Sequence, residues 1–223
     1  MIKRIYDIYC SVIALILLAP ILLPVMIILR FTGEGEIFYR QERMGRGNKP
    51  FYITKFATMV KNSPNIGNGE YTLHNDPRVL PTGKFLRKSK INEFPQFWDI
   101  FIGNMSIVGP RPQMLKVHAS YPSEYSEVLA SVKPGLAGVG SIVFRDEESI
   151  LSRATDFDLC YRTEIIPYKT ELETWYVNNR SLFVDIKILW ITLMVIIKPE
   201  SSNLFEIFPS IPYKDVREFG KKS

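Results

Sequence analysis

Cysteine and histidine are scarce in this chain. Its 223 residues hold only Cys10, Cys160, His74 and His118. Two cysteines, one of them beside the most apolar stretch, argue against a disulfide framework and fit a reducing, cytoplasmic setting. The histidines do not recur at ligand spacing, which sets aside a Cys/His zinc site. Internal repeats and low-complexity tracts are missing as well. Carboxylates thin out in the middle of the chain, where residues 76–112 offer only Asp76, Glu93 and Asp99. What is plentiful is positive charge: the net charge is +5 and the isoelectric point about 9.1. That balance suits an anionic partner, whether nucleic acid, a phosphorylated substrate or an anionic membrane face. No nucleic-acid motif appears, and the basic residues lie between apolar segments of membrane type, which argues against nucleic acid. The length is that of one ordinary domain with its own core.

Val12 to Leu29 is an uncharged run of 18 residues between Lys3 and Arg4 on one side and Arg30 on the other. Its length just suffices to cross a bilayer. Pro20 and Pro24 interrupt it, and interior prolines remove backbone hydrogen bonds and bend a helix. Cations at both ends assign no crossing direction. A re-entrant helix that breaks near Ala19-Pro20 and returns to the same face accounts for all three observations, and a kinked single span competes with it. A cleaved signal peptide fits less well, because no small-residue cleavage pattern follows Leu29.

Downstream, IFYR and PFYI within 37–53 flank Gly45 and Gly47 and predict a β-hairpin with charges on its loop. Residues 61–75, rich in Asn, Gly, Ser and Pro, read as a mobile loop, and Asp76-Pro77-Arg78 as a turn. Ser89 is the expected N-cap of a short helix running to about Ile102 with Gly103 as its stop. Asn92 and Glu93 then fall at a helix N-terminus, where free N–H groups and the dipole favour an anion. Lys133-Pro134-Gly135 with Gly138 and Gly140 forms a second loop, followed by polar helical sequence to about Tyr176. Phe183–Ile197 is strongly apolar, but its uncharged part, Ile188–Ile197, is ten residues long and cannot span. Lys187 and Lys198 at its ends favour an interfacial helix. From Pro199 onward an extended tail is expected to hug the domain.

Phosphate chemistry needs cations that recognise oxygens. Arg40, Arg43, Arg46, Lys49 and Lys55 come from the hairpin region, and Arg78, Lys84, Arg87, Lys88 and Lys90 precede Glu93. Most of these read as solvated surface charges. Arg111 differs, because Pro110 and Pro112 hold its backbone nearly rigid and limit the entropy lost on binding, while its planar fork suits bidentate phosphate contacts. Glu93 and one further carboxylate suffice for magnesium bound together with substrate phosphates. Asp99, six residues after Glu93, turns away from the Glu93 face and reads as a solvated position.

FYRQERMGRGNKPFYITKFATM at 38–59 and DPRVLPTGKFLRKSKINEFPQFWDIFIGNMSIVGPRP at 76–112 resemble the signature of the bacterial sugar transferases, the polyprenyl-phosphate phosphoglycosyl transferases. SVKPGLAGVG and WYVNNRSLFVDIKILW resemble that family's weaker downstream motifs, so the resemblance covers roughly 1–198. No four-helix membrane domain precedes it here, which matches the small, monotopic branch. The resemblance implies an α+β, mainly helical protein. A re-entrant membrane helix at 1–32 would precede a small cytoplasmic catalytic domain at 33–198, with a short β-hairpin and interfacial amphipathic helices, and a tail at 199–223. It implies transfer of a phospho-sugar from a UDP-sugar to undecaprenyl phosphate with Mg²⁺, releasing UMP, at the cytoplasmic face of the bacterial inner membrane. That is the first membrane step of surface glycan synthesis. Beyond the two substrates and membrane lipid, downstream glycosyltransferases or a homodimer are the implied partners. Carried over by position, the catalytic pair is Asn92-Glu93, with Glu93 also the metal ligand, and Lys55, Arg78, Arg87 and Arg111 contact substrate phosphates. Two positions depart from the family pattern. Asn92 stands where the family has its nucleophilic Asp, and Ala57 where an Arg is usual. An amide lacks a carboxylate's charge and basicity. Three readings follow: an inactivated member that binds lipid phosphate or partner enzymes, Glu93 as nucleophile, or direct attack by the lipid phosphate. Glu173 stands where relatives often carry an Asp.

Overall fold

The computed structural model describes residues 2–67, 72, 76–119, 121–198 and 203–221. The described chain is mainly helical with a short antiparallel hairpin and one long apolar N-terminal helix. It divides into two compact units, Met1–Glu42 with Tyr52–Gly103, and Arg43–Phe51 with Asn104–Ser223.

In the first unit, helix α1 (Ile2–Phe31) stays helical through both Pro20 and Pro24. The two prolines are four residues apart and share one helix face, so the carbonyls they leave unpaired lie on the same side. Only Asp7, Ser11 and Leu29 of this helix are buried, and its apolar side chains are otherwise largely open. Its two ends are both held by the unit. Arg4 donates to the carbonyls of Ile100 and Phe101 at 2.7 and 2.6 Å, while Leu29 packs in one cluster with Phe56 and Leu86. Strands β1 (Phe38–Met44) and β2 (Pro50–Phe56) form the expected hairpin, whose tip, with Gly47 and Asn48 at positive φ, is counted with the second unit. Helix α2 (Pro81–Lys88) follows, and Gly83 in it lies so close to the Thr58 carbonyl that a Cβ there would sit 2.1 Å from the oxygen.

The single helix expected from Ser89 to Ile102 is instead broken. Ser89 closes α2 from behind, its hydroxyl donating to the Phe85 carbonyl at 2.8 Å, so it is a C-cap and not an N-cap. Lys90 then turns left-handed (φ 59°), Ile91–Glu93 make one 3₁₀ turn, and α3 (Gln96–Ile102) begins after Pro95. Gly103 stops α3 in the left-handed conformation (φ 95°), as expected.

The second unit is built on two short parallel strands, β3 (Ser106–Val108) and, beyond helices α4 (Leu115–Ala119) and α5 (Ser123–Ala130), β4 (Gly135–Ala137). Ser106 pairs with Gly135 and Val108 with Ala137, and the pairing continues into the Pro-Arg-Pro segment through Gly109 N–H to Ala137 and Gly135 N–H to Pro110. The backbones approach so closely that a Cβ on Gly135 would lie 2.0 Å from the Gly109 nitrogen. Helices α6 (Val139–Val143), α7 (Glu147–Arg153) and α8 (Phe157–Cys160) lead through a π-helical turn (Tyr161–Ile165) into α9 (Ile166–Asn179). The buried face of α9 carries Lys169, Leu172, Glu173 and Tyr176; Tyr176 donates to Val108 of β3 at 3.1 Å and to Asp185 at 2.6 Å.

Helix α10 (Leu182–Ile197), capped by Ser181, buries Asp185, Ile188, Ile191 and Val195 and leaves Phe183, Ile186, Trp190, Leu193 and Ile197 exposed along its other side. The tail folds back through α11 (Leu204–Ile207) onto this unit: Tyr168 donates to Pro212, Trp175 to Ser210, and Gly220 to Glu164. The tail expectation at 199–202 lies outside the described residues.

Candidate functional site

The first unit gathers its polar machinery around the turn between α2 and α3. Thr54 of β2 donates its N–H and hydroxyl to Asp99 of α3 at 2.7 and 3.1 Å, which fixes the strand against that helix. Asp99 is therefore buried, not a solvated position. Burial pushes its carboxyl up from the usual range, while the Thr54 bonds and the Arg40 charge pull it back. The next residue, Lys55, brings its Nζ to 4.0 Å from Glu93 Oε1, with both side chains mostly covered. Asn92 is 7 % exposed and Gln96 2 % exposed. Among the described residues neither the Asn92 Oδ1 acceptor nor the Gln96 Nε2 donor has a hydrogen-bond partner. Buried polar groups are ordinarily paired, so an acceptor and a donor left open on either side of Glu93 and Pro95 make this turn the candidate site.

Two sequence expectations are redirected here. Arg78 is 5 % exposed and locked in place: Nε and Nη2 grip both oxygens of Asp76, and Nη1 donates to the carbonyls of Ser63 and Ile66. The Asp76 bond raises its already high pKa. Its fork clamps the Asp76-Pro77-Arg78 turn to the start of the 61–75 segment; residues 68–71 and 73–75 lie outside the described residues. Asp76 and Asp99 are thus both committed to structural bonds, while Glu93 faces Lys55. No group of three His, Cys, Asp or Glu side chains converges for a metal among the described residues. Glu93 with the unpartnered Asn92 oxygen fits the sparse oxygen set that magnesium takes alongside substrate phosphates.

In the second unit, Arg111 lies on the rim of a surface cavity lined also by Gly45, His118, Val132 and Pro134. His118 Nε2 is 3.0 Å from Asn48 and 2.8 Å from Ser126, and burial holds its imidazole below the ordinary pKa. Behind Arg111 stands Glu173, fully buried and surrounded by backbone. Its Oε1 accepts the Gly140 N–H at 3.2 Å and it also meets the Arg111 N–H, yet burial raises its pKa to about 7. Tyr121 lies close to it, its hydroxyl pKa raised first by burial and then by the charges of Glu173 and Glu147. The sequence shows Glu173 only as a mismatch in a helical stretch; its burial beneath two glycine loops is a tertiary fact.

Residues 1–199 match the family described as bacterial sugar transferase. The chain belongs to that family. It is 33 % identical over 88 % of its length to a UDP-N-acetylgalactosamine-undecaprenyl-phosphate N-acetylgalactosaminephosphotransferase of Aeromonas hydrophila, and 32 % over 86 % to a UDP-glucose:undecaprenyl-phosphate glucose-1-phosphate transferase of Klebsiella pneumoniae. It spans 44 % and 39 % of those two proteins. The exopolysaccharide production protein ExoY of Sinorhizobium fredii is 33 % identical over 86 % of this chain and 83 % of its own length. In this bacterial sugar transferase both the Lys55–Glu93 turn of one unit and the paired glycine loops of the other fall within the matched residues.

Proposed function

We propose that the chain transfers a sugar 1-phosphate from a UDP-sugar to undecaprenyl phosphate, releasing UMP and opening the assembly of a surface polysaccharide. The observation that carries this reading is the buried, unpartnered Asn92 Oδ1 beside the Lys55–Glu93 pair, at the position where the family's reacting Asp stands. Its support comes from the activities named for the similar proteins. Lys55 and Arg87 serve as phosphate contacts in the first unit, and Arg111 offers a rigid guanidinium in the second. Glu93 is the proposed Mg²⁺ ligand, and the ion when bound neutralises charge on the diphosphate. Because an amide is not a phosphoryl nucleophile, the lipid phosphate oxygen attacks the β-phosphorus directly. A new P–O bond forms to the lipid, the bond to the oxygen bridging the α- and β-phosphorus breaks, and UMP leaves with that oxygen. Asn92 and Gln96 orient the reactants.

The membrane reading is monotopic, with α1 re-entrant and the catalytic residues on the cytoplasmic face. Support comes from the two ends of α1 sharing one unit. A straight helix would separate residues 4 and 29 by ~37 Å, whereas their partners near Ile91 and Ile100 are joined by two tight helical turns. A bend at Pro20 and Pro24 relieves that mismatch. The exposed stripe of α10 from Phe183 to Ile197 suits the headgroup boundary. Incubating purified protein in nanodiscs with undecaprenyl phosphate and UDP-glucose, UDP-galactose or UDP-N-acetylgalactosamine tests the activity. UMP release that depends on the lipid phosphate supports it; none with any of the three sugars counts against it.

A further inference from the structure

We propose that Glu173 is the positioning residue for Arg111, holding the Pro-Arg-Pro segment to the Gly138–Gly140 turn through backbone N–H groups. The inference rests on the phosphate-binding role proposed for Arg111 and goes beyond it by naming what aims that side chain. Three observations converge. Glu173 Oε1 accepts the Gly140 N–H at 3.2 Å, and the carboxylate also meets the N–H of Arg111. Glycine at 138 and 140 makes room for it, since a Cβ on Gly140 would lie 2.6 Å and one on Gly138 3.4 Å from Oε1. One helical turn along the same face, Tyr176 donates to Val108, so α9 grips the strand and its Pro-Arg-Pro continuation at two successive points. Oε2 is buried with no hydrogen-bond partner among the described residues, so the carboxylate is not sited to stabilise the fold by satisfying all its bonds.

Its charged neighbours come from every side. Lys169 lies on α9 itself and is paired with Glu147 of α7; Arg111 comes from the loop, and Tyr121 from the segment before α5. Asp185 of α10 is tied to the same face of α9 through Tyr176. Lys169 and Arg111 favour the ionised form against burial, which leaves Glu173 titrating at about 7. Ionised, it is the stronger acceptor for both N–H groups, while burial works against that form.

The Arg111 amide is flanked by two prolines that carry no N–H, so its hydrogen exchange can be read in isolation. In Glu173→Gln, which keeps the shape and removes the charge, Arg111 exchange is expected to quicken about tenfold, the scale of losing a charge-assisted bond. KM for the UDP-sugar should rise more than kcat falls, and the change in KM as pH crosses neutrality should vanish. Gly140→Ala should reproduce the faster exchange by displacing the carboxylate, and Glu173→Asp should recover part of it. Wild-type exchange together with a wild-type pH profile in Glu173→Gln overturns the proposal. If the unaltered chain turns over no UDP-sugar, the functional reading fails, while the exchange measurement still decides whether Glu173 holds the loop. Should Glu173→Gln fail to fold, the comparison of Glu173→Asp with the unaltered chain decides it in the same way.

Discussion

Asp99 accepts two hydrogen bonds from Thr54, one from its backbone and one from its hydroxyl, at 2.7 and 3.1 Å. The pair ties the last turn of the hairpin strand to α3, and Lys55, the residue after Thr54, is thereby held opposite Glu93. Replacing Asp99 by Ala leaves a half-buried N–H and hydroxyl without their acceptor, a loss of about 1–3 kcal/mol. Denaturant midpoints and substrate affinity measured on Asp99→Ala are expected to fall together. An affinity loss without a stability loss would mean that Asp99 touches substrate.

The glycine pair sets a second contrast. Gly135→Ala puts a methyl 2.0 Å from the Gly109 nitrogen, so the two loops must separate. A loss of 3 kcal/mol or more, on the order of severe overpacking, is expected. Gly47→Ala meets nothing within 4 Å and carries only the strain of φ 69°, so about 1 kcal/mol is expected. Thermal melts of both variants check the ranking.

Stability should also depend on pH through Glu173. Its folded pKa of about 7 exceeds the ordinary carboxyl value of 4.5. The folded state therefore holds the extra proton between those values, and the stability this group contributes is fully present below pH 4.5 and lost as pH rises through 7. The shift is worth roughly 3 kcal/mol at most. Melting temperatures from pH 4.5 to 8 are expected to fall across that window, and Glu173→Gln should flatten that share of the slope.

Much of this was legible in the sequence, for reasons that differ by residue. The hairpin and the Gly103 stop are local: strand alternation around a glycine loop, and a left-handed residue ending a helix. Ser89 misled because its hydroxyl, a favoured acceptor at a helix start, here donates back to the Phe85 carbonyl, and the left-handed Lys90 that breaks the chain there leaves no compositional mark. Asp99 was misread because an isolated carboxylate in a basic stretch resembles a solvated one. Its partner, Thr54, is 45 residues away. Glu173 needed the fold itself, since nothing local reveals that two glycine loops close over it.

For α1, cysteines introduced singly near positions 3 and 34 should both label from the cytoplasmic side. Periplasmic labelling of the N-terminus would favour a spanning helix. Pro20→Ala should shift α1 toward spanning, because the restored helix is long enough to cross.

The central claim is that this chain turns over a UDP-sugar without an acidic nucleophile at position 92. The most direct measurement follows UDP-sugar labelled on the β-phosphorus, scoring UMP, labelled lipid and label retained on denatured protein together. The unaltered chain should release UMP and label the lipid with none retained on protein, Asn92→Asp should release UMP faster and retain label, and Glu93→Gln should do neither. Label retained on the unaltered chain would make Glu93 the nucleophile, and an unaltered chain that neither releases UMP nor labels lipid would contradict the account.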